Sequence, residues 1–137
     1  MLALDIETLG LLNEKPLPAI TCVCLYDGTQ HYALEFYGTH VSQETKMENK
    51  DTLIRLLDSA KCIVGFNVVL FDLEYIKCFF EISQSKLTSW IEKTVDPFLC
   101  MKYVLGTTCT LQQLLLMNHL PSKSGSGTEA IHWAKEV

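Results

Sequence analysis

The chain is expected to fold as a single α/β domain: a mixed sheet, antiparallel in its first part and parallel later, flanked by helices. Three observations predict this. Residues 1–7 (MLALDIE), 20–26 (ITCVCLY) and 31–37 (HYALEFY) are apolar, β-branched and aromatic runs, the last two joined by Asp27-Gly28, a strong hairpin signal. A short apolar run at 62–66 (CIVGF) follows a helical stretch. What comes after it is mostly helical in pattern, and strands followed by interleaved helices build a mixed sheet covered by helices.

The elements follow in order. Residues 1–7 read as a central strand, and Pro16 and Pro18 punctuate the loop after it. Strands 20–26 and 31–37 form the hairpin, and the polar stretch 39–50 reads as a loop. Residues 51–60 place Leu53, Ile54, Leu56 and Leu57 on one helical face. After strand 62–66 a helix carries Leu73, Ile76, Phe79 and Phe80, and the mixed segment 83–95 is anchored by Trp90 and Ile91. Asp96-Pro97 pairs an N-cap residue with proline at the first helical position, for a helix that ends at Gly106. Thr110-x-x-Gln113 is a capping box opening a Leu-rich helix closed by Pro121, and Ser126-x-x-Glu129 is a second one.

At 137 residues there is room for one domain, 1–137, with its own core. A hydrophobic content of 48% excludes a disordered chain. No apolar run reaches the roughly 18 residues of a membrane span. No basic segment precedes an apolar one, so no signal peptide is expected. An intracellular protein is expected, cytoplasmic or nuclear and not secreted, with no membrane partner. The six cysteines show no CxxC pattern. Cys22, Cys24 and Cys62 lie in strand-like runs and are expected to be reduced thiols packed as small hydrophobes. A net charge of −5 gives no broad basic footprint. Nucleic-acid binding would need a local groove or metal-mediated phosphate contact.

Two acidic motifs are the candidates to carry chemistry, although each alone also has a bland reading: Asp5 and Glu7 as incidental acids at a solvated strand end, Asp72 as a dipole partner in a first helical turn. The first is Asp5-Ile6-Glu7-Thr8-Leu9-Gly10. Side chains two apart on a strand share a face, so Asp5 and Glu7 present both carboxylates on one side. Burying like charges on a strand is costly without a counter-ion. The second motif is Asn67-Val68-Val69-Leu70-Phe71-Asp72, where an apolar strand gives way to a helix with Asp72 near its start. Both motifs sit at strand ends, where α/β sheets place ligands. Three carboxylates converging there form an oxygen-rich set suited to Mg²⁺ or Mn²⁺. Two such ions clamp the attacking and leaving oxygens of a phosphodiester.

Asp5-x-Glu7-Thr8-x-Gly10 resembles the first motif of the DEDD-type 3′–5′ exonucleases, and Val64-Gly65-Phe66-Asn67-x-x-x-Phe71-Asp72 resembles their second. The form is most similar to the proofreading domain of family-B DNA polymerases and to stand-alone exonucleases similar to it. The stretch 122–130 with Trp133 resembles those stand-alone proteins as well. The resemblance implies an RNase H-like fold and two-metal hydrolysis of single-stranded DNA or RNA ends. Carried over, it makes Asp5, Glu7 and Asp72 the catalytic metal ligands and places Thr8, Leu9, Asn67 and Phe71 against substrate.

The resemblance also implies a third motif, Tyr-x-x-x-Asp or His-x-x-x-x-Asp, which is not found in this sequence. The sequence-based expectation is a chain ending before the helix that carries it. His132 and Glu136 stand as substitutes for the fourth ligand, although their spacing fits neither form. The competing reading is a nuclease-fold module that binds nucleic acid or protein without catalysis.

Several residues keep two readings. Asn67 either orients Asp72 and substrate or simply forms the turn, and Phe71 either packs in the core or stacks a base. Lys123 with its Ser/Gly neighbours either cradles a phosphate or is a plain connection. Asp96 is read as a helix cap in preference to a catalytic acid. His31, His40 and His119 show no ligand spacing.

Overall fold

The protein is described by a computed structural model over residues 1–122. Its sheet has five strands in the order β3-β2-β1-β4-β5. The strands are β1 (Leu2–Thr8), β2 (Ile20–Tyr26), β3 (His31–Glu35), β4 (Ile63–Val64) and β5 (Thr94–Val95). β1, β2 and β3 pair antiparallel, while β4 runs parallel to β1 and β5 parallel to β4. This is the mixed sheet expected from the sequence.

Alternation decides the two faces of β1. Leu2, Leu4 and Ile6 are buried on one face, where Val23 and Leu25 of β2 and Leu34 of β3 join them. Ala3, Asp5 and Glu7 occupy the other face, opposite Tyr26, Cys24 and Cys22. The buried face belongs to the same core cluster as Leu53, Leu56 and Leu57 of α1 (Gln43–Ser59) and Leu73, Tyr75 and Ile76 of α2 (Leu73–Phe80). Trp90 of α3 (Gln84–Ile91) is fully buried, and its indole N–H donates to Asp58 Oδ1 at 2.8 Å. Lys86 Nζ meets the other oxygen of Asp58 at 2.7 Å, so one carboxylate at the end of α1 holds α3 in place.

Several boundaries differ from the sequence reading. The segment 39–50 is not all loop, because α1 starts at Gln43. Ser42 sets that start: its hydroxyl accepts the Thr45 amide at 3.1 Å, so a local cap offsets the polar composition. β3 stops at Glu35, and the mixed stretch 83–95 resolves into α3, capped by Ser83, and β5. The helix expected over 96–106 is α4 (Pro97–Cys100) widening into a π-helical turn, Met101–Leu105, that ends at left-handed Gly106. The Thr110–Gln113 capping box is present and opens α5 (Leu111–Met117). The second box at Ser126 lies outside the described residues.

The link from β4 to α2 positions the second acidic motif. Asn67 adopts a left-handed conformation (φ 59°) and a π-helical turn, Val68–Asp72, runs into α2. Gly65 lies against β1 here. A Cβ at this position would stand 2.8 Å from the Leu4 carbonyl oxygen and collide with Val68 Cγ1. Gly65→Ala is therefore expected to destabilise the fold by about 1–3 kcal/mol through overpacking. A lowered urea midpoint with unchanged slope would register it.

Candidate active site

The second motif brings Asp72 under β1. Its carboxylate is 5% exposed, and Oδ2 accepts the Ile6 amide at 2.9 Å. Ile6 lies between Asp5 and Glu7, so this bond fixes the second motif against the first. Asp5 is exposed on the open side of β1. Asp5 and Asp72 line a pocket of about 370 Å³ with Phe66, Asn67, Phe71 and Phe98. The pocket lies just past the C-terminal end of β4, where parallel strands of α/β sheets open to ligands.

Burial, then the negative charge of Asp5 and of Asp96, pushes the Asp72 carboxyl up from its usual 3.8 to about 7. The Ile6 amide works the other way without overcoming them. The carboxylate thus sits in a place that favours a proton or a cation beside it. Asn67 adds a second polar atom in need of a partner: its side-chain oxygen is buried with no hydrogen bond among the described residues.

Asp96 holds the other side of the turn. It is 4% exposed, its Oδ1 accepts the Asn67 amide at 2.8 Å and the Phe98 amide at 3.1 Å, and its Oδ2 accepts the Val69 amide at 3.1 Å. The capping role read from Asp96-Pro97 is present. The clamp on residues 67 and 69 is new, because the sequence does not reveal that β5 ends beside that turn.

The other expected residues are placed as follows. Glu7 shares the open face with Asp5, one residue pair further along β1. Thr8 is buried and its hydroxyl donates to the Gly10 carbonyl at 2.7 Å, while the Leu9 amide donates to Ala19 O at 2.9 Å. Both fix the turn that leaves β1. Phe71 packs against the core and faces Tyr75 at 5.5 Å between ring centroids, and it also lines the pocket. His132, Glu136 and Lys123 lie outside the described residues.

Among the described residues, no three His, Cys, Asp or Glu side chains gather closely enough to hold a metal ion. The three-carboxylate cluster expected from the sequence is thus resolved into an Asp5–Asp72 pair in one pocket, with Glu7 beside it on the strand. Among the described residues, no helix is long and apolar enough to cross a membrane. Cys24 is exposed, against the expectation of a packed hydrophobe, because it lies on the open face of β2.

No protein-family model matches the chain, and no curated protein matches it. Solved structures do. A product-bound structure of exonuclease I at 1.5 Å aligns with TM-score 0.59 and 17% identity, over 98% of this chain and 42% of that one. A second structure of exonuclease I, described as suggesting how processivity is achieved, aligns with TM-score 0.58 and 17% identity, over 97% and 38%. The chain shares the RNase H-like fold of these neighbours, a mixed five-stranded sheet flanked by helices. The chain spans about two-fifths of the length of these neighbours.

Two outcomes test this geometry. With the Asp72 carboxyl held near 7, the unfolded chain ionises at lower pH than the folded one, so stability falls as pH rises from about 4 to 7. Asp72→Asn keeps an acceptor for the Ile6 amide and removes the charge. Its melting temperature should exceed that of the parent protein at pH 8, with the gain shrinking toward pH 4. Asp96→Ala leaves three backbone N–H groups short of an acceptor and should cost about 3 kcal/mol in chemical denaturation.

Proposed function

We propose that this chain is the core of a metal-dependent 3′–5′ exonuclease acting on single-stranded DNA or RNA ends. The observation that carries the reading is the buried, electrostatically strained Asp72 beside Asp5 in a pocket at a strand end, within an exonuclease fold. The motif forms support a site of the kind found in family-B polymerase proofreading domains. The protein would work inside the cell.

The residues fit a hard divalent cation of the Mg²⁺ or Mn²⁺ class. Asp5 and Asp72 would supply carboxylate oxygens and Asn67 a buried amide oxygen, the donors such ions prefer, with Glu7 next along the same face of β1. When bound, such ions neutralise charge on a phosphodiester and make a bound water acidic. Asp5 and Asp72 would hold such an ion, and Glu7, on the same face of β1 as Asp5, would orient a nucleophilic water. Ile6 N–H and the Asp96 clamp keep Asp72 and residues 67–69 from drifting, since displacement of about 1 Å is costly for such chemistry. Phe66, Phe71 and Phe98 give the pocket aromatic walls on which a terminal base can rest.

A second reading, a nuclease-fold module that binds nucleic acid or protein without cutting, is favoured by the lack of any three-ligand group among the described residues. An end-labelled single-stranded oligonucleotide separates the two. The nuclease reading expects shortening from the 3′ end with Mg²⁺ or Mn²⁺, none with EDTA, and a loss of about 100-fold or more in Asp5→Asn. The same variant should lose most of the metal-induced rise in melting temperature. Retention of the intact oligonucleotide on the protein under all metal conditions would instead establish the binding module.

A further inference from the structure

A cleft away from the Asp72 pocket combines positive charge with aromatic walls. α1 forms one side, the end of α2 the other, and Tyr37, just past β3, the rim. Its volume is about 400 Å³. Gln43, Lys46, Met47 and Lys50 stand at i, i+3, i+4 and i+7 on α1, so they share one helical face. Glu44, Glu48 and Asp51 fall on the flank about 100° round, and among the described residues no carboxylate lines the cleft. Phe79 and Phe80, from the last turn of α2, meet edge to face at 4.9 Å between centroids. Phe36 backs Phe80 from beneath, also at 4.9 Å.

We propose that this cleft binds single-stranded nucleic acid at a point separate from the Asp72 pocket: the lysines hold phosphates and the open aromatic faces take a base. Lys46 and Lys50 form no ion pair among the described residues, so no carboxylate neutralises them. Lys50 Nζ stands 5.9 Å from the Phe80 ring centroid, which keeps the ammonium over the aromatic wall. Tyr37 is exposed, and Phe79 and Phe80 are only half-buried, so ring surface remains open to a ligand. A net charge of −5 repels a polyanion overall. Two free ammonium groups beside aromatic rings supply the local groove that binding to such a chain requires.

The chemistry of the occupant follows from using both features at once. A single strand presents a phosphate at every step and a π-face on every base. An acidic peptide would engage the lysines and leave the rings idle, and an apolar one would bury the lysines unpaired. The cleft shares no lining residue with the pocket beside Asp72. The two lie at opposite ends of α2, with a helical rise of about 10 Å between Asp72 and Phe79. The assignment rests on the reading above for the class of ligand alone; it needs neither a metal nor cutting.

Fluorescence anisotropy of a labelled oligothymidylate with the 137-residue chain in EDTA, over a series of salt concentrations, tests the proposal. Lys46→Gln with Lys50→Gln should lower affinity about tenfold or more at low salt. It should also make the slope of log affinity against log salt shallower by about 1.4, the share of two single-strand phosphates. Lys46→Arg with Lys50→Arg should restore the parent affinity. Tyr37→Leu should lower affinity about fivefold without altering the slope, because it removes a stacking face and no charge. Arg55→Gln with Lys61→Gln makes the same charge loss at the other end of α1 and should bind as the parent does. Unchanged affinity in the Lys→Gln pair or in Tyr37→Leu, an equal loss in the Arg55/Lys61 control, or no binding by the parent protein would overturn the assignment. So would full displacement of the oligonucleotide by an equal concentration of polyglutamate, which would give the cleft to an acidic protein segment. Cutting is scored separately with Mg²⁺ on the same strand. Binding through the lysines without cutting removes only the exonuclease reading, and cutting with unchanged affinity in the Lys→Gln pair removes only the cleft.

Discussion

The Asp72 carboxylate accepts the backbone amide of Ile6, 66 positions away, from almost complete burial. That one bond ties the start of α2 to the middle of β1 and brings together two motifs that the chain keeps far apart. A buried carboxylate is costly, and here the cost rises with the charge of Asp5 nearby and Asp96 behind. The fold tolerates it because the surrounding turn is held on both sides, by Ile6 on one and by Asp96 on the other. A site so built is stable as a scaffold and unsatisfied as an anion, the condition under which a carboxylate captures a proton or a cation.

The turn between β4 and α2 shows why its residues are what they are. Gly65 is required because the Leu4 carbonyl passes too close for a Cβ. Asn67 takes the left-handed conformation that this residue tolerates better than most. With its amide given to Asp96 and its side-chain oxygen buried without a partner among the described residues, it is both turn former and a candidate donor.

The sheet divides its labour by face. One side of β1, β2 and β3 is closed by α1 and α2 around Leu4, Ile6, Val23 and Leu53. The other carries Asp5, Glu7, Cys22 and Cys24, with Tyr26 and His31 stacked 4.3 Å apart at its end. Polar chemistry collects there because the period of two sends every second side chain away from the core. The same alternation that builds the hydrophobic layer therefore sorts the reactive groups onto one surface.

Much of this was legible in the sequence. Period-two runs and Asp27-Gly28 specify the first three strands, and local caps at Asp96 and Thr110 specify helix starts, because these signals act between near neighbours. The sharing of a face by Asp5 and Glu7 follows from alternation alone. Other features required the tertiary structure. Ser42 starts α1 within a stretch whose polar composition reads as loop, since a single cap can outweigh composition. The descent of Asp72 onto the Ile6 amide depends on how β4 lies beside β1, which no local pattern encodes. The clamp of Asp96 on residues 67 and 69 depends on β5 ending next to that turn. The Cys22–Cys24 pair was read as packing because its run is apolar; which face of β2 meets the core was decided only by register against β1. Local propensity chose the elements, while long-range hydrogen bonds and register chose which of their side chains meet.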